Sequence, residues 1–224
     1  MISVALEEFK RVLKSIRTVV IILIFVLFSY GISSSLDNFN ASANDNISAA
    51  YSSIRLLVFI LGYLFVSILS NNCINKEIET GSINFVLSKI SRRDFVVGKF
   101  IGIFLFWCVC IGISFSVISF LTHQIDFSVL LMLLCVITYY ISLCILFSVF
   151  ISKSSITNFF GLIIGILFPI LGLTVTLSDG WYSFFMYLFP YEYILRGGIF
   201  MIVPLLISSV FLSIAVHQFS RKEV

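Results

Sequence analysis

The 224-residue chain is 60% hydrophobic and only 11% charged, with a formal net charge of +3 and a mean hydropathy of +1.13. A soluble domain of this size carries about 25% charged residues, so there is too little polar side chain here to coat a water-soluble globule. The composition excludes a soluble protein and describes an all-α polytopic membrane protein.

The N-terminal stretch "SVALEEFKRVLKSIR" places Leu6, Phe9, Leu13 and Ile16 at three- and four-residue steps, with Lys10, Arg11, Lys14 and Arg17 on other faces. That pattern predicts an amphipathic helix in the membrane interface; the alternative is a basic flank that merely fixes topology. A first apolar run follows from Thr18. Its core is long and no A-x-A-like site follows, which argues against a cleaved signal peptide. Further runs lie at about 56–69, 100–121, 127–151, 156–177 and 199–217. Each approaches the roughly 20 apolar residues that a membrane helix needs, and none alternates as a barrel strand would. Six spans place both termini on one side.

The fourteen basic residues decide which side. Lys10, Arg11, Lys14, Arg17, Lys76, Lys89, Arg92, Arg93, Lys99, Lys153, Arg221 and Lys222 fall on the side of the termini, against Arg55 and Arg196 opposite. By the positive-inside rule both termini face the cytoplasm, which makes this a multi-pass protein of the cell membrane.

Between the second and third runs lies "NKEIETGSINFVLSKISRRDFVVGK", the longest polar interruption on that side. Ile83, Val86, Leu87 and Ile90 repeat at helical spacing, Gly81 separates them from an earlier apolar pair, and Thr80 or Ser82 is placed to cap the helix that follows. Anionic lipid would hold the basic cluster but repel Glu77 and Glu79. Mixed charge with a small apolar face is what a docking helix offers a cytoplasmic protein.

These residues also carry a resemblance. Glu79, Gly81, Ser82, Leu87, Ser91, Arg92, Gly98 and Lys99 match the order found in the loop of type-2 (exporter family) ABC transporter permeases. The family's common proline is replaced by Lys89 or Ile90. The six-span layout is similar to the short permeases of peptide-export and bacteriocin-immunity systems. The resemblance implies one permease domain over 1–224 with a coupling loop at about 72–99. Its ATPase-docking residues would be Glu77, Glu79, Gly81, Ser82, Phe85, Leu87, Arg92, Arg93 and Lys99. It also implies a second permease copy and two cytoplasmic ABC ATPase subunits, which would hold the ATP and Mg. The chain has no P-loop of its own, since Gly98-Lys99 runs into Phe100 with no glycine five residues earlier. It is therefore expected to be no enzyme and to carry no cofactor.

Other chemistry finds little support. Cys73, Cys108, Cys110, Cys135 and Cys144 have no CxxC or paired-His company and read as small hydrophobes. HExxH and GxSxG are absent, as is any acid deep within a span, which argues against a protease and an ion-driven carrier. The aromatic segment 178–198 reads as an interfacial belt. By resemblance it is a re-entrant outer hairpin turning at Gly180, Pro190 and Gly197-Gly198, with Glu192 and Arg196 spaced to pair. Tyr139, Tyr140 and Asn158 are candidates for a cargo path, although interhelical packing is the favoured account of them. The expected function is the permease subunit of an ATP-driven exporter of an amphipathic or hydrophobic cargo; the alternative is a non-transporting assembly or sensor subunit that docks a cytoplasmic protein.

Overall fold

The computed structural model describes residues 1–37, 43–122, 125–177, 187–196 and 198–222, and these are helical throughout apart from short turns. In chain order the helices are α1 (Ile2–Leu13), α2 (Ile16–Asp37), α3 (Ala43–Ser70), α4 (Asn75–Glu79), α5 (Ser82–Leu87), α6 (Arg92–Thr122), α7 (Phe127–Phe150), α8 (Ser154–Leu177), α9 (Pro190–Arg196) and α10 (Ile202–Arg221), with a 3-10 turn over Gly198–Met201 before the last. Among the described residues, five stretches are long and apolar enough to cross a bilayer: Ile54–Glu79, Arg92–Leu121, Phe127–Phe150, Ser154–Thr176 and Ile199–Arg221. In the first of these α3 itself ends at Ser70, and the remainder is a turn and the short polar helix α4. A shorter apolar stretch, Ile16–Phe28, lies within α2.

The helices begin and end where local chemistry dictates. Asp126 caps α7, its carboxylate accepting from the Ser128 amide at 3.0 Å. Pro190 opens α9, where a missing N–H costs nothing. The expected third span begins eight residues early, because α6 starts at Arg92 rather than near Phe100. Its 31 residues rise about 47 Å, well beyond a hydrocarbon layer of about 30 Å, so its basic first turns project from the membrane.

The core lies between α3, α6 and α7, around Phe106, Trp107, Tyr63, Tyr139 and Tyr140. Glycines allow close helix approach. A Cβ at Gly161 would stand 1.6 Å from the Asn71 amide nitrogen, and one at Gly165 only 3.1 Å from the Leu64 backbone. Small residues at this spacing let α8 lie against α3. The remaining faces of α8 and α10 expose large apolar side chains such as Phe159, Ile166, Leu206 and Val210, as lipid-facing helices do.

α1 has two distinct faces. Of the predicted apolar stripe Leu6 and Leu13 point outward, as does Ile16 at the start of α2, and Phe9 packs partly against the core. Val4, Ala5, Glu8 and Val12 are buried, α1 packing against α6. Exposed leucine outside and a packed face inside suit a helix lying at the membrane interface on top of a span. Of the expected outer hairpin, 178–198, residues 178–186 and Gly197 lie outside the described residues. Its described end holds Glu192 and Arg196, which pair at 2.5 Å.

Candidate functional site

The polar interruption folds into two short helices, α4 and α5, at a bend where Gly81 takes a φ of +69°. That left-handed geometry favours glycine over any residue with a Cβ. Neither predicted cap faces forward. The Thr80 hydroxyl donates back to the Lys76 carbonyl at 2.8 Å and lies 2.9 Å from the Ser82 hydroxyl, so it closes α4 instead of opening α5.

One face of this pair is fastened to the rest of the protein. Ile83 and Ile74 are fully buried, and Leu87 packs partly against the core. Asn75, also buried, accepts from the Ser148 hydroxyl at 3.0 Å through Oδ1 and donates to the Thr157 hydroxyl through Nδ2, tying the loop to α7 and α8. With both its oxygen and its nitrogen satisfied, this buried carboxamide is held in position.

A charged cluster makes the second fastening. Lys99, 5% exposed on α6, donates to Glu8 Oε2 of α1 at 2.8 Å and to Glu77 Oε1 of α4. Glu8 is 1% exposed and also takes a hydrogen bond from Arg11, whose Nη1 lies 4.0 Å from Glu77. Two carboxylates and two cations are thus gathered where three helices meet. The Lys99 ammonium also sits 5.4 Å from the Phe95 ring centroid. Close approach of α1 depends on α6 glycines: a Cβ at Gly98 would lie 2.9 Å from Val4 Cβ, and one at Gly102 would lie 2.6 Å from the Ala5 carbonyl oxygen.

The remaining predicted docking residues divide by role. Glu79 accepts from the Ser154 amide at 2.8 Å and its hydroxyl at 2.7 Å, so it caps α8. Those hydrogen bonds, the side-chain one foremost, hold its carboxyl below the ordinary carboxylate range. Arg92 donates to the carbonyls of Phe219 at 3.5 Å, Ser220 at 3.1 Å and Lys222, at the end of α10. Lys222 in turn donates to the Val149 carbonyl at 2.9 Å at the end of α7, and burial lowers the pKa of its amine. Both acids that seemed to require an outside partner therefore have partners within the chain. What remains outward on the loop is Phe85, 79% exposed, with Ser82, Asn84, Ser88 and Lys89 beside it, and Arg93 at the start of α6.

The cargo-path candidates do not form one site. Tyr139 and Tyr140 are buried in an aromatic cluster with Tyr63, Phe168 and Tyr191, and the Tyr139 hydroxyl donates to the Leu188 carbonyl at 2.8 Å. Asn158 lies ten residues, about 15 Å, before Phe168 on α8, beside Ser67 and Asn71. Arg55, read as an outer-side residue, lies inside α3, where its buried Nε has no hydrogen-bond partner among the described residues. Glu8, Asn75 and Gly102 escaped the sequence reading. Glu8 was hidden by its helical spacing from the basic residues of its own helix, and only an acid at an otherwise packed position would have signalled it.

No curated protein sequence matches the chain at a significant level. The family model described as "ABC-2 family transporter protein" matches residues 2–197. A permease of that kind is the transmembrane component of a transporter and not its ATPase. The match takes in α1 to α9, fastened loop and interfacial helix included, and stops short of α10: the chain belongs to the ABC-2 family of transporter proteins, as a multi-pass membrane permease.

Proposed function

We propose that this chain is the membrane-spanning subunit of an ATP-driven ABC exporter, with six spans (α2 supplying the first) and cytoplasmic termini. It works as a pair of permease copies with two cytoplasmic ATPase subunits, which bind the ATP and Mg. The α4–α5 pair is its coupling element. The observation that carries this reading is the two-sidedness of the pair: Phe85 is 79% exposed while Glu77, Ile83 and Asn75 bind the other face to α1, α6, α7 and α8. An element that offers an aromatic anchor outward and is pinned to several spans inward can receive a push and distribute it.

The mechanism follows from these connections. Closure of the ATPase pair displaces α5 through Phe85. Glu77 passes the displacement to Lys99 on α6, and Lys99 passes it through Glu8 to α1. Glu79 and Asn75 pass it to the start of α8 and the end of α7. The cargo proposed is amphipathic or hydrophobic, such as a membrane-active peptide, by resemblance to the short permeases of peptide-export systems.

The test is reconstitution of the chain with the P-loop ATPase that co-purifies with it, in vesicles loaded with labelled amphipathic peptide. ATP-dependent peptide movement supports the exporter. Stable binding of the ATPase with no flux of any cargo points instead to an assembly or sensor subunit.

A further inference from the structure

Two cavities adjoin on the basic face of the molecule, neither of them lined by α5. The first, about 330 Å³, lies between α1, the start of α2 and the end of α3, and is lined by Arg11, Ser15, Arg17, Asn72 and Lys76 over an apolar floor of Val12, Ile68 and Leu69. The second, about 240 Å³, continues between α3 and α8 past Ser67, Asn71, Asn158 and Leu162. Arg17 and Ile68 line both, so the two form one groove.

Its chemistry is one-sided. Among the described residues no carboxylate lines either part. Arg11 is engaged with Glu8, but Arg17 and Lys76 have no ion pair among the described residues. α2 begins at Ile16, so its N-terminal partial positive charge adds to theirs. Deeper in, Asn71 is 2% exposed and its Oδ1 has no hydrogen-bond donor among the described residues; the same holds for the Oδ1 of Asn72. Beyond them Leu162, 46% exposed, opens the groove sideways to the lipid-facing flank of α8.

From this juxtaposition we infer that the groove is a binding site for an anionic phospholipid with a hydroxyl-bearing headgroup. The phosphate rests on Arg17 and Lys76, headgroup hydroxyls meet the half-buried Asn158 carboxamide that lines the groove, and an acyl chain leaves past Ile68 and Leu162. Cationic side chains at the level of the headgroups, an apolar floor and a lateral opening match a lipid on all three counts. A free phosphate would use only the first. A bound lipid would seat α1 and α2 against α3, next to the Glu8–Lys99–Glu77 cluster.

The test uses the purified full chain in detergent, with retained lipid counted by native mass spectrometry after addition of phosphatidylglycerol, phosphatidylcholine or inorganic phosphate. We expect one phosphatidylglycerol held in preference to phosphatidylcholine, and no displacement by inorganic phosphate. Arg17→Gln with Lys76→Gln should weaken retention tenfold or more, at roughly fivefold per basic residue near a headgroup. Lys10→Gln with Lys14→Gln removes the same charge from outside the groove and should leave retention near that of the unmodified chain. If the double variant does not fold, Lys76→Gln alone, on the exposed loop, gives the same reading at about fivefold. Equal losses from both pairs of substitutions would show diffuse charge attraction and overturn the site. Displacement by inorganic phosphate, with no preference for phosphatidylglycerol, would make it a free-anion site and overturn the lipid.

Discussion

Lys99 is held by Glu8 and Glu77 on two different helices while its own stem lies in α6, and a buried ammonium of this kind is stable only with its partners in place. Removing one member of a buried pair strands the other, at roughly 3–5 kcal/mol. Lys99→Met should therefore lower stability by about 3 kcal/mol, read as a fall in the thermal midpoint in detergent. Adding Glu8→Gln to it should recover part of that loss, since a neutral amide no longer needs the ammonium. Glu79 makes a second, pH-dependent contact. Its carboxyl is held below the ordinary range by Ser154, so its stabilising effect is complete above the unfolded carboxylate pKa. That effect disappears as pH falls through the lowered folded value. Hydrogen exchange at the first turn of α8 should accelerate in that acid range, and Glu79→Gln should abolish the pH step. At this scale the sequence was half legible: position and charge of Lys99 and Glu79 marked them as unusual, but their partners lie 91 and 75 residues away. Spacing along the chain carries no information about such pairings.

Among the elements, α1 and α8 show what periodicity can and cannot tell. The repeat Leu6, Phe9, Leu13 was visible, yet Leu6 and Leu13 look outward, Phe9 packs only partly against the core, and the packed face is Val4, Ala5, Glu8 and Val12. In a membrane protein both surroundings are apolar, so the spacing of apolar residues does not say which side is protein and which is lipid. The glycines say more. Gly102→Leu should lift α1 from α6, because even a Cβ there would lie 2.6 Å from a backbone carbonyl. Spin labels on α1 and α6 would report the separation, with Gly112→Leu, where a Cβ meets nothing within 4 Å, as the control. Gly161→Ala should displace Asn71 from the Thr157 carbonyl it donates to at 3.3 Å, at a cost of about 1–3 kcal/mol for overpacking.

For the whole molecule, the layout of apolar runs was readable because bilayer thickness imposes its length on each span. Helix extent was not: α6 continues outward to Arg92, and α3 starts at Ala43, in sequence too polar to look like membrane. That continuity gives the loop and the third apolar run one rigid lever, with Lys99 near its foot. In the proposed mechanism an ATPase docked on Phe85 moves this lever. Glu79→Arg is a poor probe of that step, since it also removes the cap of α8. Phe85→Asp is the better one, as the side chain is 79% exposed and its loss leaves the core intact. Capture of the co-purifying P-loop ATPase by the tagged chain should weaken about 30-fold, the scale of one interface hot spot, and ATP hydrolysis by the complex should lose its stimulation. The thermal midpoint of the permease should stay unchanged. Undiminished capture and stimulation in Phe85→Asp would contradict the mechanism.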